Sequence, residues 1–271
     1  MSRSKWLIFN LIALFVSINC VHGIDITGDL INERVAAGES VSHELTISLP
    51  SSDQPSNFSV GVSGISMSLE GSPKAIKTED DDYVYSARSF MTVSPVSFVL
   101  YPGESQKVLL GGDIPNDIGS GTRYAMLQIQ SRPIAANETS GSSTGIVGAI
   151  NLPIIVEIYG TDQIRSGEIS ELELKKPISP IKQDISLTFE NTGNTHFKAM
   201  AKADLLDENK ETLASFSTPL SIASVFPGIP RHFGLSITPD EELKSGKYSI
   251  NASVCLADET VLASKELDFE I

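Results

Sequence analysis

Apolar and polar residues alternate along most of this chain. In SVSHELTISLP, Val41, His43, Leu45, Ile47 and Leu49 fall on one face and Ser42, Glu44, Thr46 and Ser48 on the other. That is the period of a strand with one face buried. Phe58, Val60 and Val62 repeat it. Residues 64–82 are polar, end in Glu79, Asp80, Asp81 and Asp82, and read as a loop with a solvated acidic turn. Phe98 and Leu100 lead into the turn Tyr101-Pro102-Gly103-Glu104, a strand resumes over 107–110, and another is expected from Arg123. GIVGAINLPIIVEIYG then carries Ile146, Gly148, Ile150, Leu152, Ile154, Val156 and Ile158 on its even positions. It reads as a long strand, and Pro153, which cannot donate to a ladder, puts it at an edge or a bulge.

Residues 160–167 read as a linker, after which the same style returns. Ile185, Leu187 and Phe189 alternate before NTGN, and Phe197, Ala199, Ala201, Ala203 and Leu205 after it. Phe233, Leu235 and Ile237 form another strand, and Tyr248, Ile250, Ala252, Val254 and Leu256 one more. Short strands between turn signals, with no long amphipathic helix, predict an all-β chain of two consecutive immunoglobulin-like β-sandwich domains. Their expected bounds are 24–160 and 161–271.

A repeat supports duplication of the fold. Pro102-Gly103 is followed by Pro115-Asn116, Ser120-Gly121 and Tyr124; Pro227-Gly228 is followed by Pro239-Asp240, Ser245-Gly246 and Tyr248. The separation from Gly103 to Gly121 equals that from Gly228 to Gly246. Each phrase turns, runs a strand to a corner, and crosses to the other sheet, where a Tyr hydroxyl is placed to cap the corner.

The N-terminus changes the picture of where these domains work. Arg3 and Lys5 precede an apolar run from Trp6 to Ile18, broken by Asn10 and Ser17, with small residues Val21 and Gly23 behind it. That is the pattern of a signal peptide over 1–23, and the run is shorter than the ~20 residues a bilayer needs. Export to the periplasm or the cell surface is expected, with membrane contact only through the leader before cleavage. The formal net charge of −14 becomes two units more negative when Arg3 and Lys5 leave. Such a chain repels phosphate backbones, so nucleic acid is not an expected partner. Of two cysteines, Cys20 lies in the leader, which leaves Cys255 without an intramolecular disulfide partner. Its place on the strand pattern fits core or surface.

Catalytic chemistry is not evident. His43, on an apolar strand face, reads as a packed histidine. Neither it nor His196 nor His232 has a metal-ligand companion at the usual spacing, and the acidic run fits no EF-hand loop. No nucleophile elbow, phosphate loop or dinucleotide fingerprint occurs. No enzyme activity, cofactor or metal is expected. Asn57, Asn137 and Asn251 open glycosylation sequons.

One segment carries a family resemblance. Ser94, Pro95, Phe98, Leu100, Pro102, Gly103, Gln106 and Val108 form a phrase that resembles the first domain of periplasmic pilus-assembly chaperones, and the likeness extends over 92–159. The resemblance implies two immunoglobulin-like domains and a protein partner, a secreted or pilus-type subunit, that adds a strand to the first sandwich. It also implies a client carboxylate held by an Arg of the first strand and a Lys of the last. Arg34 is the candidate for the first, but no Lys occurs between Lys107 and Lys175, so the anchor is not carried over. The candidate partner-binding residues are Ile146, Ile150, Leu152 and Ile154, either facing the sandwich's own core or exposed at the sheet edge. Two functions are expected from different classes: a chaperone-like binding protein in the assembly of surface or pilus-type structures, and an extracellular adhesion or matrix spacer module.

Overall fold

The computed structural model describes residues 23–134 and 148–271; Asn137 and Ile146 lie outside them, as does the leader up to residue 22. In chain order the strands are β1 (Asp25–Thr27), β2 (Ile31–Val35), β3 (Ser40–Ser48), β4 (Ser56–Met67), β5 (Pro73–Ile76), β6 (Met91–Ser94), β7 (Ser97–Leu100), β8 (Ser105–Asp113), β9 (Thr122–Pro133), β10 (Gly148–Ile158), β11 (Gly167–Leu174), β12 (Gln183–Asn191), β13 (Met200–Leu206), β14 (Thr212–Ser217), β15 (Arg231–Ile237), β16 (Lys247–Cys255) and β17 (Val261–Glu270). Among the described residues, no helix is long and apolar enough to cross a membrane.

Strands β1 to β10 make two sheets, in the orders β1-β3-β8-β6 and β2-β10-β9-β4-β5, with β7 also paired to β4. Strands β11 to β17 make two more, β11-β12-β15 and β14-β13-β16-β17. The pairing is antiparallel except for β2 beside β10. Each pair of sheets is an immunoglobulin-like β-sandwich.

Alternation builds both cores. Val41, Leu45 and Ile47 are buried while Ser42 and Glu44 are exposed; they meet Val108, Leu110, Leu127, Ile129, Ile154 and Val156 in the first core. Ile185, Leu187, Phe189, Leu205, Ile250 and Val254 are fully buried in the second. Each such large side chain contributes about 1.5–3 kcal/mol relative to exposure.

Three expectations are corrected. Residues 64–67 are not a loop: they complete β4, and β5 pairs back on them from Gly64↔Ile76 to Met67↔Pro73. The acidic turn is not wholly solvated. Asp81 is turned inward, where one carboxylate oxygen takes Nε–H of Arg88 (3.2 Å) and the hydroxyl of Ser86 (2.7 Å). Nor is His43 a plain core histidine, since both of its ring nitrogens hold polar partners. Cys255, open between core and surface, is buried, because a register shift at Val254/Cys255 lets both neighbours turn inward.

Candidate functional site

The sheet edge at β10 is asymmetric. On one side β10 pairs with β9 along nearly its whole length, from Gly148↔Ser131 to Glu157↔Thr122. On the other, β2 pairs only from Ile154↔Ile31 to Ile158↔Val35. Among the described residues, 148–153 therefore have a strand neighbour on one side only, and Pro153 sits where the second neighbour has not begun.

The chain's own N-terminal strand does not fill this lane, for a reason of parity. Ile31 and Val35 face the core. A straight continuation would place Asp29 and Thr27 on that same face and turn Ile26 outward. Instead the chain crosses at Gly28, with φ +77, and β1 pairs with β3 from Asp25↔Ser48 to Thr27↔Thr46. Ile26 then packs on the first core. A side chain at Gly28 would come within 2.7 Å of the Glu44 carbonyl oxygen, so the crossover requires glycine.

The structure separates the candidate residues. Ile150 and Leu152 are half-buried and rest on the first core beside the open lane. Ile154 is fully buried and has strands on both sides, so it belongs to the core and cannot meet a partner. Its place in the apolar series could not reveal that, because the series has one parity along β10 and only the length of β2 divides it. Ile146 lies outside the described residues. Arg34 does not wait for an external carboxylate, since it is paired to Glu157 on the adjacent strand at 3.0–3.1 Å. Arg132 is exposed and lines a shallow polar recess of about 180 Å³ with Asn57, Ser59 and Gln130. Asn57 and Asn251 are exposed.

A second cluster joins the two sandwiches. The first part of β9 is buried on both faces, because Tyr124 and Met126 meet Ile65 and Phe226 on the side away from the first core. Tyr124 lies edge-on to Phe226 at 4.5 Å, and its hydroxyl accepts the His196 backbone N–H at 2.8 Å. Tyr83 and Tyr85 donate to the carbonyls of Pro227 (2.9 Å) and Gly193 (3.2 Å). Arg123 lies under Tyr85 and donates to the carbonyls of Ile118, Ser120 and Thr122. Burial pushes the Tyr83 and Tyr124 hydroxyls well up and the Arg123 guanidinium down. It also lowers His196, with the Arg165 charge adding to the effect. These groups are structural: the Tyr83, Tyr85 and Arg123 side chains donate to backbone carbonyls, and the Tyr124 hydroxyl accepts a backbone N–H. Sequence reasoning missed Tyr83, Tyr85, Arg123 and Phe226. The usable signal was Phe226 directly before the repeated Pro-Gly.

No protein-family model and no curated protein matches the chain. Among solved structures, the class 5 fimbriae chaperone CfaA is 12% identical, with 92% of this chain and 98% of that one covered at a TM-score of 0.42. A chain of the Salmonella enterica SafA pilin–SafB chaperone complex is 12% identical, with 93% and 97% covered at 0.40. A glycosyl hydrolase family 2 member from Bacteroides cellulosilyticus is 11% identical, with 85% and 28% covered at 0.33. Superpositions this loose transfer neither a site nor an activity. The two fimbriae chaperone structures are similar to this chain in fold alone, over most of both chains.

Proposed function

We propose that this chain is an exported, non-enzymatic binding protein, chaperone-like in the assembly of surface or pilus-type structures. Its leader is cleaved, its two domains span 24–160 and 161–271, and its partner is a secreted or pilus-type subunit. The partner adds an extended segment along β10 in the lane above β2. The observation that carries the reading is that lane: among the described residues, backbone paired on one side only over 148–153, lined by half-buried Ile150 and Leu152. Such an edge offers main-chain hydrogen bonds for affinity and alternate side chains for selectivity, and left unused it is an aggregation liability.

The test uses a synthetic peptide of alternating valine and threonine and amide hydrogen exchange on the exported protein. Residues 148–152 are expected to gain roughly tenfold protection on adding peptide, and the Ile150→Glu, Leu152→Glu double variant to stay folded but lose that gain. If residues 148–152 gain nothing, or the double variant unfolds, strand addition at β10 is wrong. One observation favours the spacer reading instead. Hydrogen bonds from Tyr83, Tyr85 and His196 tie the sandwiches together, as a rigid extracellular module would need.

A further inference from the structure

The N-terminal strand changes sheets within Gly28, Asp29 and Leu30, and one side chain touches both arms of the crossover. His43, on the core-facing side of β3, sets Nδ1 2.7 Å from Glu33 Oε1 on β2 and Nε2 2.7 Å from the Gly28 carbonyl oxygen. A carbonyl oxygen and an ionised carboxylate can only accept hydrogen bonds. A neutral imidazole has one N–H and would meet one of these oxygens with a lone pair. The imidazolium satisfies both. We infer that the second proton on His43 is a latch: it holds the Gly28 crossover and, through Glu33, the docking of β2 on β10.

The latch acts on a weak element. β2 is short and, among the described residues, lies at the end of its sheet and pairs only with β10, so it is among the parts expected to open locally before the fold does. Its lane also continues the lane above Ile154 that no other described strand fills. Release of β2 would extend the one-sided stretch of β10 from 148–153 toward Ile158. This inference stands on the fold alone and needs no partner.

The surroundings favour the charged ring. Among the described residues, Glu33 is the one charged group directed at it. On β2, Arg34 turns away to Glu157. On β3, Glu44 points to the opposite face and pairs with Lys107 of β8, and the β8 residue across from His43 is Leu110. In the crossover, Asp29 is exposed, as is Asp25 on β1. Burial opposes the charge, but the Gly28 carbonyl and the Glu33 carboxylate together outweigh it, and the pKa of His43 is raised from 6.5. A raised histidine stabilises fully below its unfolded value, and that contribution is lost as pH climbs through the folded value. The latch is therefore closed in mild acid and opens as pH rises through the raised value of His43.

The experiment follows the His43 ring and the β2 amides by NMR in the partner-free protein, from mildly acidic to alkaline pH, with exchange rates corrected for intrinsic base catalysis. The ring is expected to titrate above 6.5. Protection of Asn32 to Val35 is expected to fall roughly tenfold through that same titration, while β12 stays protected. Glu33→Gln should move both the ring titration and the loss of protection to lower pH. His43→Gln should abolish the pH step. Flat β2 protection across the ring titration overturns the latch, and so does a step that persists in His43→Gln. If His43→Gln does not fold, Glu33→Gln decides: an unmoved ring titration there also overturns it.

Discussion

The two copies of the Pro-Gly phrase occupy the same place in the two sandwiches and end differently. In the first, β8 runs from the turn at Gly103, the chain crosses at Ser120-Gly121, and Tyr124 begins the run of β9 in the other sheet. In the second, β15 follows Gly228, the chain crosses at Ser245-Gly246, and Tyr248 opens β16. Tyr248 closes its own corner: its hydroxyl donates to the Lys244 carbonyl at 2.9 Å and its ring stacks on Phe269. Tyr124 leaves its corner open and reaches into the second sandwich, to His196 and Phe226. Gly121 takes part in the same contact. Its φ is +94 and a side chain there would lie 2.2 Å from the Asn194 carbonyl oxygen, which accepts the Thr122 N–H at 2.9 Å. One local signal thus serves two purposes, a corner in one domain and a joint between domains in the other.

The largest test of this difference is truncation. Tyr124→Ala removes a fully buried ring from the joint and should cost about 3–5 kcal/mol, whereas Tyr248→Ala, at a half-exposed corner, should cost about 1–2 kcal/mol. Urea unfolding measures both. Equal losses would mean that Tyr124 is no more than another corner residue. Removing only the hydroxyl sharpens the point. Tyr124→Phe strips the His196 N–H of its acceptor and should cost about 1–2 kcal/mol, against about 0.5–1 kcal/mol for Tyr248→Phe, where water replaces the lost bond.

The smallest effect is in pH. Burial, reinforced by the Arg165 charge, lowers the pKa of His196, so the unfolded chain binds its proton at higher pH than the folded chain. The stability tied to neutral His196 is present above the unfolded value near ~6.5 and is lost as pH falls through the folded value. The thermal midpoint of the native protein should therefore drop on acidification from about pH 7.5 to about pH 5 by more than that of His196→Gln. His43 has the opposite sign, and its contribution fades as pH rises through its raised folded value. A His196→Gln variant with an unchanged acid response would remove the joint from the account of acid sensitivity.

The one-sided edge of β10 was legible only in outline. The apolar series and Pro153 pointed to an edge, but nothing in the spacing separates Ile150 and Leu152 from Ile154. The boundary is the point where β2 begins to pair, and the position of β2 depends on the Gly28 crossover, far away in sequence. The same holds for residues 64–67. Their outward Ile65 and Met67 look misplaced for a strand until Phe226 and Ile229 of the second sandwich cover them.

By itself, the sequence determined that this is a chain of alternating strands in two sandwiches, with cores on the faces of Leu45, Ile47, Ile185, Leu187 and Ile250. Alternation is a property of neighbours in the chain, and burial of one strand face needs nothing more. The tertiary structure alone decided which apolar residues outside those faces are covered, which part of β10 is left with one neighbour, and whether a repeated Tyr caps its corner or joins two domains. Those outcomes depend on groups brought together from distant segments, such as Tyr124 with His196 and Gly28 with His43, and no spacing along the chain encodes which distant residue will supply the partner.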